Sequence, residues 1–260
     1  MFNDKAMFFN RSFCDFKVTG FSLALSTDYL SNSLNFAVDR DLSTAAITSG
    51  KNNDATNADF IVDLLLSRVI DTVFVRSNFK DFEIFWSTNG SSWTSYQAYT
   101  GNTDGFVMAR AGTITARYIK VSCTATLPAN QEKQLVQIDI TTFIAEMPLN
   151  GLTDTKQTYQ RVATQNLKGG SIQLVTFPQY PKFSCKCEFK NMLASFATFE
   201  AIKQQFIIDA CLVYLYYSAY IPQLSVSALY LMNDVSEKEF PLASNTLAAG
   251  VDGTLELLEA

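Results

Sequence analysis

Between Phe82 and Ser87 the side chains alternate, with Phe82, Ile84 and Trp86 on one side and Glu83, Phe85 and Ser87 on the other. A period of two is that of a β-strand with one face committed to a core. Thr88-Asn89-Gly90-Ser91 then supplies a turn, since Asn and Gly tolerate positive φ, and Trp93 follows as a large apolar anchor. Comparable runs occur at Phe21–Leu30, Ala58–Leu64, Arg68–Val75, Phe106–Ala109, Ala116–Val121 and Gln134–Ile144. About eight strands with turn signals roughly every ten residues predict an antiparallel sandwich. Within Arg68–Val75, strict alternation puts Asp71 on the side of Val69, Val73 and Val75, so Asp71 sits either at an edge or at a bulge.

The pattern changes after Pro148-Leu149-Asn150-Gly151, where Pro and Gly punctuate the chain. Beyond it, Ser171–Phe177, Lys182–Phe189, Cys211–Tyr217, Ser225–Met232 and Thr254–Leu258 read as strands. Met192–Phe206 reads as a helix, with Phe196, Phe199, Ile202 and Phe206 forming an apolar stripe and Asn191 placed to cap it. Asp234–Glu239 reads as a charged turn and Leu247–Gly253 as a loop. The resulting layout is an N-terminal arm or edge strand at 1–20, a sandwich at 21–147, a linker at 148–154 and a smaller α+β domain at 155–260. The class is mostly β. The arm either packs on the second domain or a neighbouring subunit, or adds an edge strand to the sandwich.

Composition narrows the chemistry. Of the 260 residues 48% are hydrophobic and 17% charged, which fits a packed protein. A net charge of −5 and a pI near 4.8 provide no electrostatic footprint for nucleic acid. No run of 18 apolar residues predicts membrane insertion, and the first residues lack the basic and apolar regions of a signal peptide. Five Cys (Cys14, Cys123, Cys185, Cys187 and Cys211) are too few and too scattered for a disulfide framework, so free thiols are expected. The chain has no His, which removes Ser-His and Cys-His nucleophile pairs and His-ligated zinc. With no recognisable carboxylate pair or phosphate-cradling Gly loop, the expectation is that the protein is not an enzyme.

Asp39, Asp41 and Thr44 have two readings. Their oxygens either close local turns by bonding amides two residues on, or join nearby carbonyls around a hard cation such as Ca²⁺.

Taken in order, Asp39-x-Asp41-Leu42-Ser43-Thr44, Phe60–Leu64, Val69-Ile70-x-x-Val73, Phe82-Glu83-Ile84 with Ser87-x-Asn89-Gly90-x-x-Trp93, and Arg117–Val121 resemble the discoidin, or coagulation-factor C-type, family of galactose-binding-like modules. The resemblance covers about residues 21–147. It implies a jelly-roll β-sandwich with ligand loops at one end, a calcium site at Asp39, Thr44 and Glu146, and a sugar site among loop residues Tyr29, Asn52, Asn53, Arg76 and Asn78. Arg and Asn would fork onto sugar hydroxyls, and Tyr would stack on an apolar sugar face. Two departures stand out: Arg40 replaces the Gly that the family places after the first Asp, and Ala45-Ala46-Ile47 replaces an aromatic after the Thr. Residues 155–260 resemble, in pattern alone, small β domains of phage tail and baseplate proteins. Together the two resemblances imply a structural protein of a phage tail or related injection apparatus, assembled in the host cytoplasm into the virion. Its partners would be a homo-oligomeric ring and other tail proteins, with the sandwich as a contact module. The alternative is a glycan-binding lectin or adhesin whose partner is a cell-surface glycan.

Overall fold

The computed structural model describes residues 5–15, 22–25, 34–148, 151–158, 162–166, 172–176, 182–189, 196–208, 211–216, 228–240 and 250–259. The strands run β1 (Lys5–Phe9), β2 (Ser22–Leu25), β3 (Ala46–Ile47), β4 (Ala58–Ile70), β5 (Thr72–Ser77), β6 (Phe79–Ser87), β7 (Thr94–Tyr99), β8 (Phe106–Ala109), β9 (Ile114–Thr126) and β10 (Gln134–Thr141). There follow β11 (Phe143–Pro148), β12 (Gly151–Thr158), β13 (Val162–Asn166), β14 (Ile172–Thr176), β15 (Lys182–Phe189), helix α1 (Phe196–Ile208), β16 (Cys211–Tyr216), β17 (Ala228–Phe240) and β18 (Gly250–Glu259). The chain divides into two compact units, one of Asn10–Phe143 and the other of Met1–Phe9 with Ile144–Ala260.

The 10–143 unit is built from a five-stranded sheet ordered β2-β4-β9-β6-β7 and a four-stranded sheet ordered β3-β10-β5-β8, with antiparallel pairing throughout. Its core takes Phe60, Val62 and Leu64 from β4, Phe82 and Ile84 from β6, Ile119 and Val121 from β9, and Val73, Val75, Ile138 and Ile140 from the other sheet. The alternation of β6 therefore holds, with Trp86 partly buried against the same core.

Arg68–Val75 is not one strand. β4 ends at Ile70, Asp71 breaks the run, and β5 begins at Thr72 in the other sheet. Asp71 makes the crossing possible by taking local donors: its Oδ1 accepts from Thr72 Oγ1 and from Phe143 N, both at 2.8 Å. Val69 is 54% exposed while Val73 is fully buried, so the two valines the alternation pairs lie on different sheets in different surroundings. A bulge precedes the crossing, between Asp63 and Arg68, where Leu65 takes φ 60° and Leu65 and Leu66 are exposed.

At the β6–β7 turn, Ser87 Oγ accepts from Asn89 N and Gly90 N, and Asn89 Oδ1 accepts from Ser91 N and Ser92 N. Gly90 has φ 74°, and a Cβ there would meet the Tyr118 ring at 3.3 Å. The position therefore disfavours side chains on two counts.

In the other unit seven strands form one sheet ordered β11-β1-β16-β17-β18-β15-β12, and β13 pairs with β14 in a sheet of two. β1 pairs antiparallel with β16, so Lys5–Phe9 joins this unit. The core gathers Ala6 and Phe8 of β1, Ala145 and Met147 of β11, Cys187 and Phe189 of β15, and Phe199, Ile202 and Phe206 of α1. The helical stripe thus packs as its spacing predicts from Phe199 onward; Asn191 and the start expected at Met192 lie outside the described residues. The outer strands β11 and β12 are consecutive in the chain. In a flat sheet of seven strands they would stand about 29 Å apart, but the link from Pro148 to Gly151 reaches no more than about 11 Å. The sheet must curl until its two outer strands approach each other. Two expectations are corrected here. Asp234–Glu239 is no turn but part of β17, and Gly250–Gly253 begins β18, because the two strands pair continuously from Phe240↔Gly250 to Tyr230↔Glu259 around one irregularity at Met232/Asp234.

Candidate functional site

Of the loop residues singled out by sequence, Asn53 and Asn78 are tied to one segment of the 10–143 unit, with Asn52 beside Asn53. There the 48–57 loop is bound to the 126–134 segment by two charged side chains. Glu132 accepts from Gly50 N through Oε1, and from Lys51 N and Thr48 Oγ1 through Oε2, each at 2.9 Å. Lys133 is fully buried, and its ammonium donates to the carbonyls of Lys51 at 2.6 Å and Asn53 at 2.7 Å. A buried ammonium needs acceptors in place of water, and two peptide oxygens provide them. The backbones join as well, with Thr48 N donating to Lys133 O and Lys133 N to Thr48 Oγ1.

Asp54 adds a third tie. Its Oδ1 accepts from Thr126 N, Thr126 Oγ1 and Asn130 N, and Asn130 Oδ1 accepts from Asp54 N. Desolvation acts to raise the Asp54 pKa, but these hydrogen bonds and the charge of Lys133 prevail and hold it below the ordinary carboxylate value.

Asn78 is consumed by the same frame: its Nδ2 donates to Glu132 O, and its Oδ1 accepts from Gln134 N, both at 2.9 Å. Its amide is thus turned inward as a brace. Arg76, two residues earlier on β5, lies with its guanidinium 5.2 Å from the Phe106 ring centre, and burial lowers its pKa. Asn52 and Asn53 are exposed; Asn53 Oδ1 caps Ala55 N at 2.8 Å, and Asn52 makes no side-chain hydrogen bond among the described residues. Leu127 adds a 45% exposed apolar side chain on the adjoining segment, where its N donates to Asn78 O. Tyr29 lies outside the described residues.

Of the calcium set, Asp39 and Thr44 meet in one turn. Asp39 Oδ1 accepts from Asp41 N and Asp39 Oδ2 from Thr44 Oγ1, both at 2.9 Å, so the first acid closes the turn by itself. Glu146 belongs to the other unit, where it pairs with Lys5 at 3.0 Å. The side chain that β10 brings to the turn is Gln137, whose Oε1 accepts from Arg40 N. Arg40 itself has φ 65°, which explains why a Gly suits the position. Its guanidinium reaches Asp139 at 2.9 Å and Asp15 at 3.4 Å, and Asp15 also pairs with Arg11 at 3.0 Å. Burial works against the Arg40 charge, but Asp139 and Asp15 outweigh it and raise the pKa further. Asp39 is shifted upward, first by burial, against the bonds from Asp41 and Thr44. Both Asp39 oxygens are thus engaged by donors of its own turn, where a Ca²⁺ ion would want six to eight oxygen ligands. Among the described residues no group of three or more His, Cys, Asp or Glu could hold a metal ion.

Comparison with known proteins follows from this geometry. No family model matches the chain, and no curated protein matches it. Solved carbohydrate-binding modules and some glycoside hydrolase chains are similar to it. One such module, from Clostridium perfringens and solved in complex with GalNAc-beta-1,3-galactose, is 11% identical, with a TM-score of 0.42 over 47% of this chain and 95% of its own. A chitosan-binding module derived from a chitosanase/glucanase of Paenibacillus sp. IK-5 is 14% identical, with a TM-score of 0.44 over 50% of this chain and 98% of its own. A module from a family 31 glycoside hydrolase of Clostridium perfringens is 17% identical, with a TM-score of 0.39 over 46% and 94%.

Sequence reasoning missed Glu132 and Lys133, which fix the loop. Their signal is faint: an adjacent acid and base between a Pro-containing turn and a strand, in Pro128–Gln134.

Proposed function

We propose that the 10–143 unit is a glycan-binding module whose sugar seat is the loop end formed by residues 49–54 and 126–134. One observation carries the reading. Asn52 and Asn53 stand exposed on a loop whose backbone is already held by Lys133, Glu132 and Asp54. Weak sugar contacts yield affinity when the groups making them need no ordering on binding. The two amides offer donors and acceptors to vicinal hydroxyls, and Leu127 offers an apolar surface to the C–H face of a sugar ring. The net charge of −5 favours a neutral saccharide over a sulfated or carboxylated one.

Nothing in the fold or the matched structures points to a phage tail or baseplate. The chain's role is therefore read as glycan recognition. The test is titration calorimetry of the full chain with galactose- and N-acetylgalactosamine-terminated oligosaccharides and with chitosan oligosaccharides. Saturable binding that falls about tenfold or more in an Asn52→Ala, Asn53→Ala double variant is expected. Binding unchanged by that variant would move the seat elsewhere, and no binding of any neutral glycan would remove the proposal.

A further inference from the structure

The chain enters the 10–143 unit from β1 and leaves it into β11, and these two strands are neighbours in the seven-stranded sheet of the other unit. In that sheet Lys5 of β1 pairs with Glu146 of β11 at 3.0 Å, and Ala6 and Phe8 share a core with Ala145 and Met147. The two ends of the 10–143 unit are tied as closely. Asn10 N donates to Thr142 O at 2.9 Å, Asn10 Nδ2 to Thr142 Oγ1 at 2.6 Å, and Thr141 Oγ1 to Asn10 O at 2.6 Å. Phe13 N donates to Ile140 O and Ile140 N to Ser12 Oγ, so residues 10–13 stay alongside the end of β10. Lys5 with Glu146, Asn10 with Thr142 and Phe13 with Ile140 follow one antiparallel order, the numbers rising on one arm as they fall on the other. This is the connectivity of a β-hairpin whose turn is a folded unit.

β1 depends on that closure. It is five residues long, Ala6, Met7, Phe8 and Phe9 are buried, and its other neighbour, β16, begins only at Cys211. A strand this short has little stability of its own, so its seating depends on how closely the connecting chain holds it to its partner. With the 10–143 unit folded, Asn10 and Thr142 meet as the ends of a tight turn would. With it unfolded, the connection becomes a loop of all residues 10–143. Closing that loop in place of a two-residue turn disfavours the β1–β11 pairing roughly 500-fold.

From this we infer that the 10–143 unit, while folded, serves as the turn that seats β1 beside β11, and that its unfolding releases β1 from the sheet. The coupling is reciprocal: seated strands hold Asn10 and Phe143 together and stabilise the unit they flank by the same factor.

Urea unfolding of the full chain tests this with two local probes. Both tryptophans, Trp86 and Trp93, lie in the 10–143 unit and report its unfolding, while hydrogen exchange of residues 5–9, read by mass spectrometry, reports β1. Ile84→Ala truncates a fully buried side chain in the core of the 10–143 unit, so the tryptophan transition is expected at lower urea. Protection of residues 5–9 is expected to fall at that same lower urea, and protection that lasts to the wild-type midpoint overturns the inference. If Ile84→Ala does not fold, Ile84→Val makes the same comparison with a smaller shift.

A second variant leaves the core intact and lengthens only the connection, by about ten Gly and Ser residues inserted between Phe9 and Asn10. Without urea, exchange of residues 5–9 is expected to quicken about fifteenfold while both tryptophans keep their native emission. Exchange unchanged by the insertion overturns the inference, even if the Ile84 variants move both probes together. If the longer insertion does not fold, one of about four residues is expected to quicken exchange about fivefold, and no change there overturns the inference equally.

Discussion

Two cations of the 10–143 unit, the partly buried Arg40 and the buried Lys133, solve one problem in different ways. Arg40 lies between the carboxylates of Asp15 and Asp139, each about 1% exposed, so charge answers charge. Lys133 is buried against the peptide oxygens of Lys51 and Asn53, so dipoles answer charge. The first arrangement ties residues 11–15 and the 39–44 turn to β10. The second ties two loops together and leaves Asn52 and Asn53 outside. A buried ion used as a strut for an exposed loop thus distinguishes the proposed sugar-binding end from the more highly charged network.

The comparison breaks most visibly at Arg40. Arg40→Leu would leave two buried carboxylates without their cation, and a loss of about 3–5 kcal/mol is expected in chemical denaturation. Arg40→Lys should recover only part of it, because an ammonium cannot fork between Asp15 and Asp139. A loss under about 1 kcal/mol would mean that Arg11 alone neutralises the acids.

Lys133→Met should cost less, about 2–3 kcal/mol, since it strands two carbonyls rather than two charges. It should also weaken sugar binding by loosening the 49–54 loop, which Arg40→Leu should not do in protein that remains folded. Equal effects of both on binding would erase the distinction between a structural and a functional cation.

Acid sharpens the picture through Asp63, whose pKa is lowered first by the hydrogen bonds from Arg117, at 2.7 and 2.8 Å. A depressed folded pKa stabilises above the unfolded value, near 4, and that contribution disappears as pH falls through the lower folded value. The stability gap between wild type and Arg117→Met should therefore be full at neutral pH and close below about pH 4. A gap that persists in acid would assign the effect of Arg117 to its packing on Tyr118, whose ring centre lies 4.9 Å away.

The smallest effects concern groups that should stay silent. Burial first, with the Asp139 charge, pushes the Cys14 thiol to about 12, and burial pushes Cys123 to about 12. Neither should react with a thiol reagent at pH 8 without denaturant, and rapid labelling of either would show the core open. Asn52→Ala should change stability by less than about 0.5 kcal/mol while lowering sugar affinity.

Much of this was legible in the chain. The alternation of Phe82–Ser87 and the Asn89-Gly90 turn were readable because every interaction that fixes them is local. The crossing at Asp71 was not, since periodicity records which side a residue takes, whereas Val69 and Val73 belong to different sheets. Asp234–Glu239 lies within β17, although a charged run of this kind looks, in sequence, like a solvated turn. At the site, Asn52 and Asn53 were visible as polar loop residues, but the frame beneath them was hidden. Lys133 binds carbonyls 80 and 82 positions away, and a carbonyl carries no residue-type signal. Asn78 reads in sequence as a ligand group, yet its amide is spent within the fold on Glu132 O and Gln134 N, partners more than 50 positions away.

The measurement nearest to the central claim is titration of the full chain and its Asn52→Ala, Asn53→Ala variant with a neutral galactose-terminated oligosaccharide, followed by amide NMR shifts. The account predicts saturable shifts concentrated in residues 49–54 and 126–134 that disappear in the variant while the rest of the spectrum is unchanged. Shifts clustered on other surfaces, or undiminished in the variant, would contradict it.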